Sequence, residues 1–199
     1  MLKEAFLGRV PSHFHINPYV KGYIISELFL WSAWNFITPI FAIFVITDIH
    51  SGNVETAAGS YSVYLISRVI MELLVGRFLT RKTNRQKLLI AIAGILLISF
   101  SYIGFSFSED ITSLFIFYGL TGIGIGIASP AKNALFSIHL DKNKESSEWS
   151  IADATTFICV ALATAFGGFF VHEFGFRPLF LIAAVVNIIG TIPYFALIR

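Results

Sequence analysis

Six apolar runs, joined by short polar links, limit this chain more than any other feature. They cover about 23–46, 56–79, 88–107, 111–131, 150–171 and 179–198. A helix of about 20 residues crosses the hydrocarbon core of a bilayer, and each run is long enough to do so. In lipid the backbone must satisfy its own hydrogen bonds, so the runs read as helices rather than open strands. Short links make consecutive helices antiparallel neighbours. Charged residues are 13% of the chain, against about 25% in a soluble domain. The expectation is an all-α, polytopic membrane protein: a segment 1–22, limited by Pro11 and Pro18, then a six-helix bundle over 23–199. No signal peptide is visible ahead of the first run.

The distribution of charge sets an orientation. With the N-terminus inside, Lys3, Arg9, Lys21, Arg77, Arg81, Lys82, Arg85, Lys87, Lys132, Lys142, Lys144 and Arg199 all fall on the inner side. Of the 14 basic residues, only Arg177 falls outside, and Arg68 lies within a span. Cytoplasmic loops carry the excess of Lys and Arg, so both termini are expected in the cytoplasm of a cell (plasma or inner) membrane protein. The link 132–149 reads as an extension of the fourth helix before a polar turn.

Arg68 stands near the middle of the second run, with Glu72 four residues on. A charge at bilayer depth costs about 2.5–3.5 kcal/mol on insertion scales, so it needs a partner or a task. Tyr61, Tyr64, Arg68 and Glu72 recur every three or four residues and share a helical face. Two readings stand. Arg68 binds an anionic group or couples to a proton with Glu72 and the tyrosines beside it, or Arg68 and Glu72 form a structural intrahelical pair in the weaker Arg-before-Glu order.

Other polar residues are read the same way. Trp31, Asn35 and Thr38 share a face of the first run, next to Pro39, as a cavity wall or as interhelical packing. Gly119, Gly122, Gly124 and Gly126 lack the preceding strand a nucleotide-binding loop needs, so they read as a close-packing stripe. Asp153, about a turn into the fifth run, is a proton carrier or ion-pair partner, or an acid that favours a helix start. Asn187 and Pro193 carry no reading of their own. A lone cysteine, Cys159, excludes an intramolecular disulfide and a cysteine metal cluster. The 21 phenylalanines suit a lipid-facing surface. No catalytic residue, metal, cofactor or nucleic-acid partner is expected. An intramembrane serine protease would need a serine and a helix-borne histidine in reach; Ser129 precedes Pro130, and the histidines fall at helix ends or in loops.

The loop after the second run, Gly76-Arg-Phe-Leu-Thr-Arg81-Lys-Thr-Asn-Arg85, resembles the signature between helices two and three of the major facilitator superfamily. Gly76, Arg81 and Arg85 match it and are the implied conformational gate. Thr80 replaces the family's acid and cannot form its inner ion-pair lock; Thr83 replaces the second glycine. Gly175-Phe-Arg177-Pro-Leu-Phe180 is similar to the family's entry into helix six. Gly119 to Pro130 is similar to its glycine-rich fourth helix, with Tyr118 where many proton-coupled members carry arginine. Gly167-Gly168 resembles the end of the antiporter motif, but Thr164 stands at its proline.

The resemblance implies secondary transport of a small solute by alternating access, with a proton as candidate coupling ion. Helices one, two, four and five would line the cavity, and Arg68, Glu72, Tyr61, Tyr64, Trp31, Asn35, Thr38 and Asp153 would contact substrate or ion. The family fold has two six-helix halves, so the expected partners are the lipid bilayer, the solute, and a second half or a second copy. The rival is a non-transporting, oligomerising membrane subunit or a remnant of a split transporter.

Overall fold

The computed structural model describes residues 16–198. Its helices are α1 (Pro18–Ile37), α2 (Phe41–Asp48), α3 (Val54–Leu79), α4 (Asn84–Ser106), α5 (Ile111–Ile138), α6 (Glu145–Phe174), α7 (Phe176–Ile189) and α8 (Ile192–Ala196). A 3-10 turn at Thr38–Ile40 joins α1 to α2, where Pro39 has no N–H to continue the helical ladder. The first expected span is therefore a broken helix. The sixth is broken likewise, between α7 and α8.

Local signals set the helix starts. The Asn17 side chain accepts from the Tyr19 amide ahead of Pro18, and Asn53 accepts from the Thr56 amide. Asp110 accepts from the Ser113 amide at 2.8 Å. Thr83 and Gln86 exchange side-chain and backbone hydrogen bonds in a capping box. Gly175, at φ 82°, ends α6 in a conformation that disfavours other residues.

Two ranges differ from the sequence expectation. Helix α5 runs on to Ile138 through Pro130, as the reading of the 132–149 link as a helical extension expects, but α6 already begins at Glu145 rather than about 150, so the link shrinks to a short turn. Lys132 is therefore a helical residue, and a buried one rather than a free inner-side cation. The first helix begins at Pro18, so the segment 1–22 contributes its last residues to α1; residues 1–15 lie outside the described residues.

Among the described residues five stretches are long and apolar enough to cross a membrane: Pro18–Asp48, Asn84–Ser106, Ile111–Ile138, Glu145–Phe174 and Phe176–Ala196. Helix α3 is long enough at 26 residues, but Arg68 and Glu72 lower its hydropathy. Its place beside α5 makes it the sixth member of the bundle.

Packing runs in sequence α3–α5–α4–α7–α1–α6, so the expectation that consecutive spans lie side by side fails at two links: among the described residues α3 makes no comparable seam with α4, nor α5 with α6. Among the described residues α3 and α6 share no comparable seam, so the bundle is a horseshoe with those two helices as its ends. Glycines make its tightest seams. A Cβ on Gly122 would lie 2.3 Å from the Tyr64 carbonyl oxygen, and one on Gly126 2.7 Å from that of Arg68. The α3 backbone can reach α5 only because those positions lack a side chain.

The core divides along the bundle axis. One cluster joins Phe41, Phe44, Phe105, Leu114, Tyr118 and Phe180 at the α2 end. A second gathers Leu30, Leu88, Ile92, Ile95, Leu135 and Tyr194 toward the other end. Asn187 has a definite role: its amide donates to the Ile95 carbonyl at 3.0 Å and to Ser99 Oγ at 2.9 Å, tying α7 to α4.

Candidate functional site

Two adjoining cavities lie within the horseshoe. The larger, about 320 Å³, is bounded by Tyr23, Glu27 and Asn35 on α1, Arg68 on α3, Asn133 on α5 and Asp153 on α6, among others. The smaller, about 180 Å³, is an aromatic recess beside Trp34, Tyr61, Tyr64 and Tyr102. Trp31, Arg68, Ser129 and Lys132 border both, so these four form the partition between them.

Lys132 Nζ donates to Glu27 Oε1 across the partition, linking α5 to α1. The two side chains are only 10% and 7% exposed. The second carboxylate oxygen of Glu27 accepts from the Trp31 indole N–H at 2.9 Å, so helical i,i+4 spacing holds the acid in place. Sequence reasoning missed Glu27 and counted Lys132 only as an inner-side cation at the start of a helical extension, with no partner. The usable signal was present: Glu27 is a lone acid inside the first apolar run, the same kind of evidence that singled out Arg68.

Arg68 lies one-third exposed toward the cavities. Its Nη1 donates to Tyr64 Oη at 3.2 Å, and Nε and Nη2 both reach Glu72 Oε1, at 3.4 and 3.3 Å. A guanidinium has five N–H donors, so one on each Nη stays open. Tyr64 is itself buried between Trp34 and Tyr118, with ring centroids 5.0 and 5.5 Å away. That packing holds its hydroxyl toward Arg68.

The expected site residues divide by position. Arg68, Trp31, Asn35 and Asp153 line the larger cavity, and Tyr61 and Tyr64 line the smaller. Glu72 reaches the site through Arg68. Thr38 borders neither cavity, and its hydroxyl donates to the Trp34 carbonyl at 2.7 Å at the helix break. The Asn35 amide donates to the Trp31 carbonyl, which leaves its side-chain oxygen open. Asp153 has no ion pair or hydrogen bond among the described residues.

Gly76, Arg81 and Arg85 lie away from the cavities, at the α3–α4 turn. Arg81 and Arg85 are exposed, and nothing lies within 4 Å of a Cβ built on Gly76. Lys82 stands 4.1 Å over the Phe78 ring. Thr80 directs its hydroxyl to the Gly76 carbonyl, at the limit of hydrogen-bond distance, rather than to a cation.

The opposite end is tied together by polar contacts. Arg177 pairs with Glu109 at 3.0 Å, the Glu109 carbonyl accepts from the His50 amide, and Ser106 Oγ donates to the Arg177 carbonyl. These bonds join the α2–α3 turn, the α4–α5 turn and the start of α7. The larger cavity lies toward the other end, where α1 and α6 begin and α5 finishes.

No curated protein matches the sequence. Among solved structures, a POT family transporter, PepTSo, crystallised in meso, shares the fold with a TM-score of 0.65 at 17% identity. The match covers 89% of this chain and 37% of that one, so the chain spans little more than a third of its structural relative. The family model described as Major Facilitator Superfamily matches residues 23–199. Six helices, their packing and this match agree: the chain is a multi-pass membrane protein that belongs to the Major Facilitator Superfamily.

Proposed function

We propose that this bundle is one half of a secondary transporter that moves a small polar solute by alternating access. The observation that carries the reading is the larger cavity, where Glu27, Arg68, Lys132 and Asp153 converge inside a bundle built for lipid. Charges at such depth are retained where they face water, a solute or one another. Alternating access rocks one bundle against another around a site near mid-membrane. Here the ends of the horseshoe, α3 and α6, bound the open side of the cavity. Both present large apolar side chains outward, among them Leu73, Leu74 and Phe78 on α3 and Leu162 and Phe169 on α6. A second six-helix half, or a second copy, would cover that side.

In this reading the chain is in the cell membrane with its N-terminus and the basic α3–α4 turn in the cytoplasm. The cavity then faces inward, and Arg177–Glu109 belongs to the closed outer end. Gly76, Arg81 and Arg85 act at the inner gate. A proton is the coupling ion we favour, as the family resemblance implies.

The test is reconstitution, alone and with a co-expressed second half, in vesicles exposed to a mixture of small metabolites. Mass spectrometry of the vesicle contents should find at least one solute that accumulates with the wild type and falls about tenfold or more with R68A. No accumulation above empty vesicles in either format would overturn the reading.

A further inference from the structure

We infer that the solute is dipolar and carries no net charge, with a cationic group held by Asp153 and an anionic group held by Arg68. This names the substrate class of the same cavity and rests on the transport reading above.

The charged groups left with open hydrogen-bonding capacity decide the class. The larger cavity is lined by two acids, Glu27 and Asp153, and two bases, Arg68 and Lys132. Glu27 and Lys132 neutralise one another, and Trp31 occupies the second Glu27 oxygen. That pair offers a solute little. Arg68 keeps two N–H donors open even with Tyr64 and Glu72 in place, and its contacts to Glu72 are long, at 3.3 and 3.4 Å. Asp153 offers a whole carboxylate with no ion pair or hydrogen bond among the described residues. The two groups come from α3 and α6, the two ends of the horseshoe, and line one cavity. An anion alone would leave Asp153 facing it uncompensated, and a cation alone would answer Asp153 but leave the two open N–H donors of Arg68, already ion-paired with Glu72, without an acceptor. A solute with both charges satisfies both groups. Neutral donors and acceptors between them, Asn35, Asn133 and Thr156, suit a polar linker.

All three tryptophans of the chain border the cavities: Trp31 both, Trp34 the smaller and Trp149 the larger. Intrinsic fluorescence therefore reports binding without any need for flux. The probes are glycine, β-alanine, 4-aminobutanoate and 6-aminohexanoate, a ladder that scans the separation of the two charges. Each is compared with its carboxamide, which has only the cation, and its N-acetyl form, which has only the anion.

At least one ladder member should change the fluorescence of the purified protein in nanodiscs. Either cap should weaken that member about tenfold or more, the scale of one charge-assisted contact. R68Q should erase the preference for the free carboxylate, D153N that for the free amine, and R68K should retain part of the first. The inference is overturned if a capped form binds as tightly as its parent, or if no ladder member binds. Binding with this selectivity but no flux in reconstituted vesicles would instead contradict the transport reading.

Discussion

Lys132 on α5 and Glu27 on α1 form an ion pair within the bundle, and the Trp31 indole holds the other oxygen of the acid. A buried pair is costly to desolvate, and its net contribution to stability is small. Removing one partner is far worse, since it leaves a buried charge alone. E27Q and K132M should each lower stability by about 3–5 kcal/mol, and the double variant E27L/K132M should regain most of that loss. Thermal unfolding in nanodiscs decides it; equal loss in single and double variants would argue against mutual compensation.

The Tyr64 hydroxyl should orient Arg68 without supporting the fold. Y64F keeps the ring between Trp34 and Tyr118 and removes only the 3.2 Å hydrogen bond. With Arg68 one-third exposed, the loss should be about 1 kcal/mol, or roughly fivefold in solute affinity, with an unchanged melting temperature. A matching fall in melting temperature would make the bond structural.

Glycines in the bundle should respond with opposite signs. G126A introduces a Cβ 2.6 Å from Met71 Cβ and 2.7 Å from the Arg68 carbonyl oxygen, so α3 must move. It should cost about 1–3 kcal/mol and weaken solute binding. G76A meets nothing within 4 Å inside the same helix α3, and should stabilise by about 0.5–1 kcal/mol. Unfolding midpoints of the two variants check both signs.

The Asn187 amide borders the smaller cavity, but both its hydrogen bonds are spent within the bundle, so it should matter chiefly for stability. N187A removes two hydrogen bonds between α7 and α4, and interhelical bonds in membranes average about 0.6 kcal/mol each. Stability should fall by about 1 kcal/mol while the fluorescence response to solute stays intact.

Much of this architecture was legible in the sequence because lipid imposes simple rules. Apolar runs of spanning length had to be helices, and the glycines of the fourth run had to bring helices together. Arg68 stood out because a guanidinium in an apolar run is conspicuous. Long-range pairing was not legible. Glu27 and Lys132 are 105 positions apart, and although the 132–149 link reads as a helical extension, nothing local to Lys132 shows that its side chain is buried against α1. The same holds for Asn187, whose partners lie on a helix about 90 residues earlier. Thr38 failed to reach the cavity for a local reason: the break at Pro39 gives its hydroxyl a carbonyl one turn back.

Everything above depends on the charged face of α3 looking into water shared with α1, α5 and α6 rather than into lipid. Cys159 is the lone native thiol, so a cysteine-free background needs one substitution, C159S. In that background R68C and N35C should react with a membrane-impermeant thiol reagent in proteoliposomes, while L162C on the outward apolar face of α6 should not. An R68C that resists the aqueous reagent but reacts with a lipid-soluble one would contradict the account.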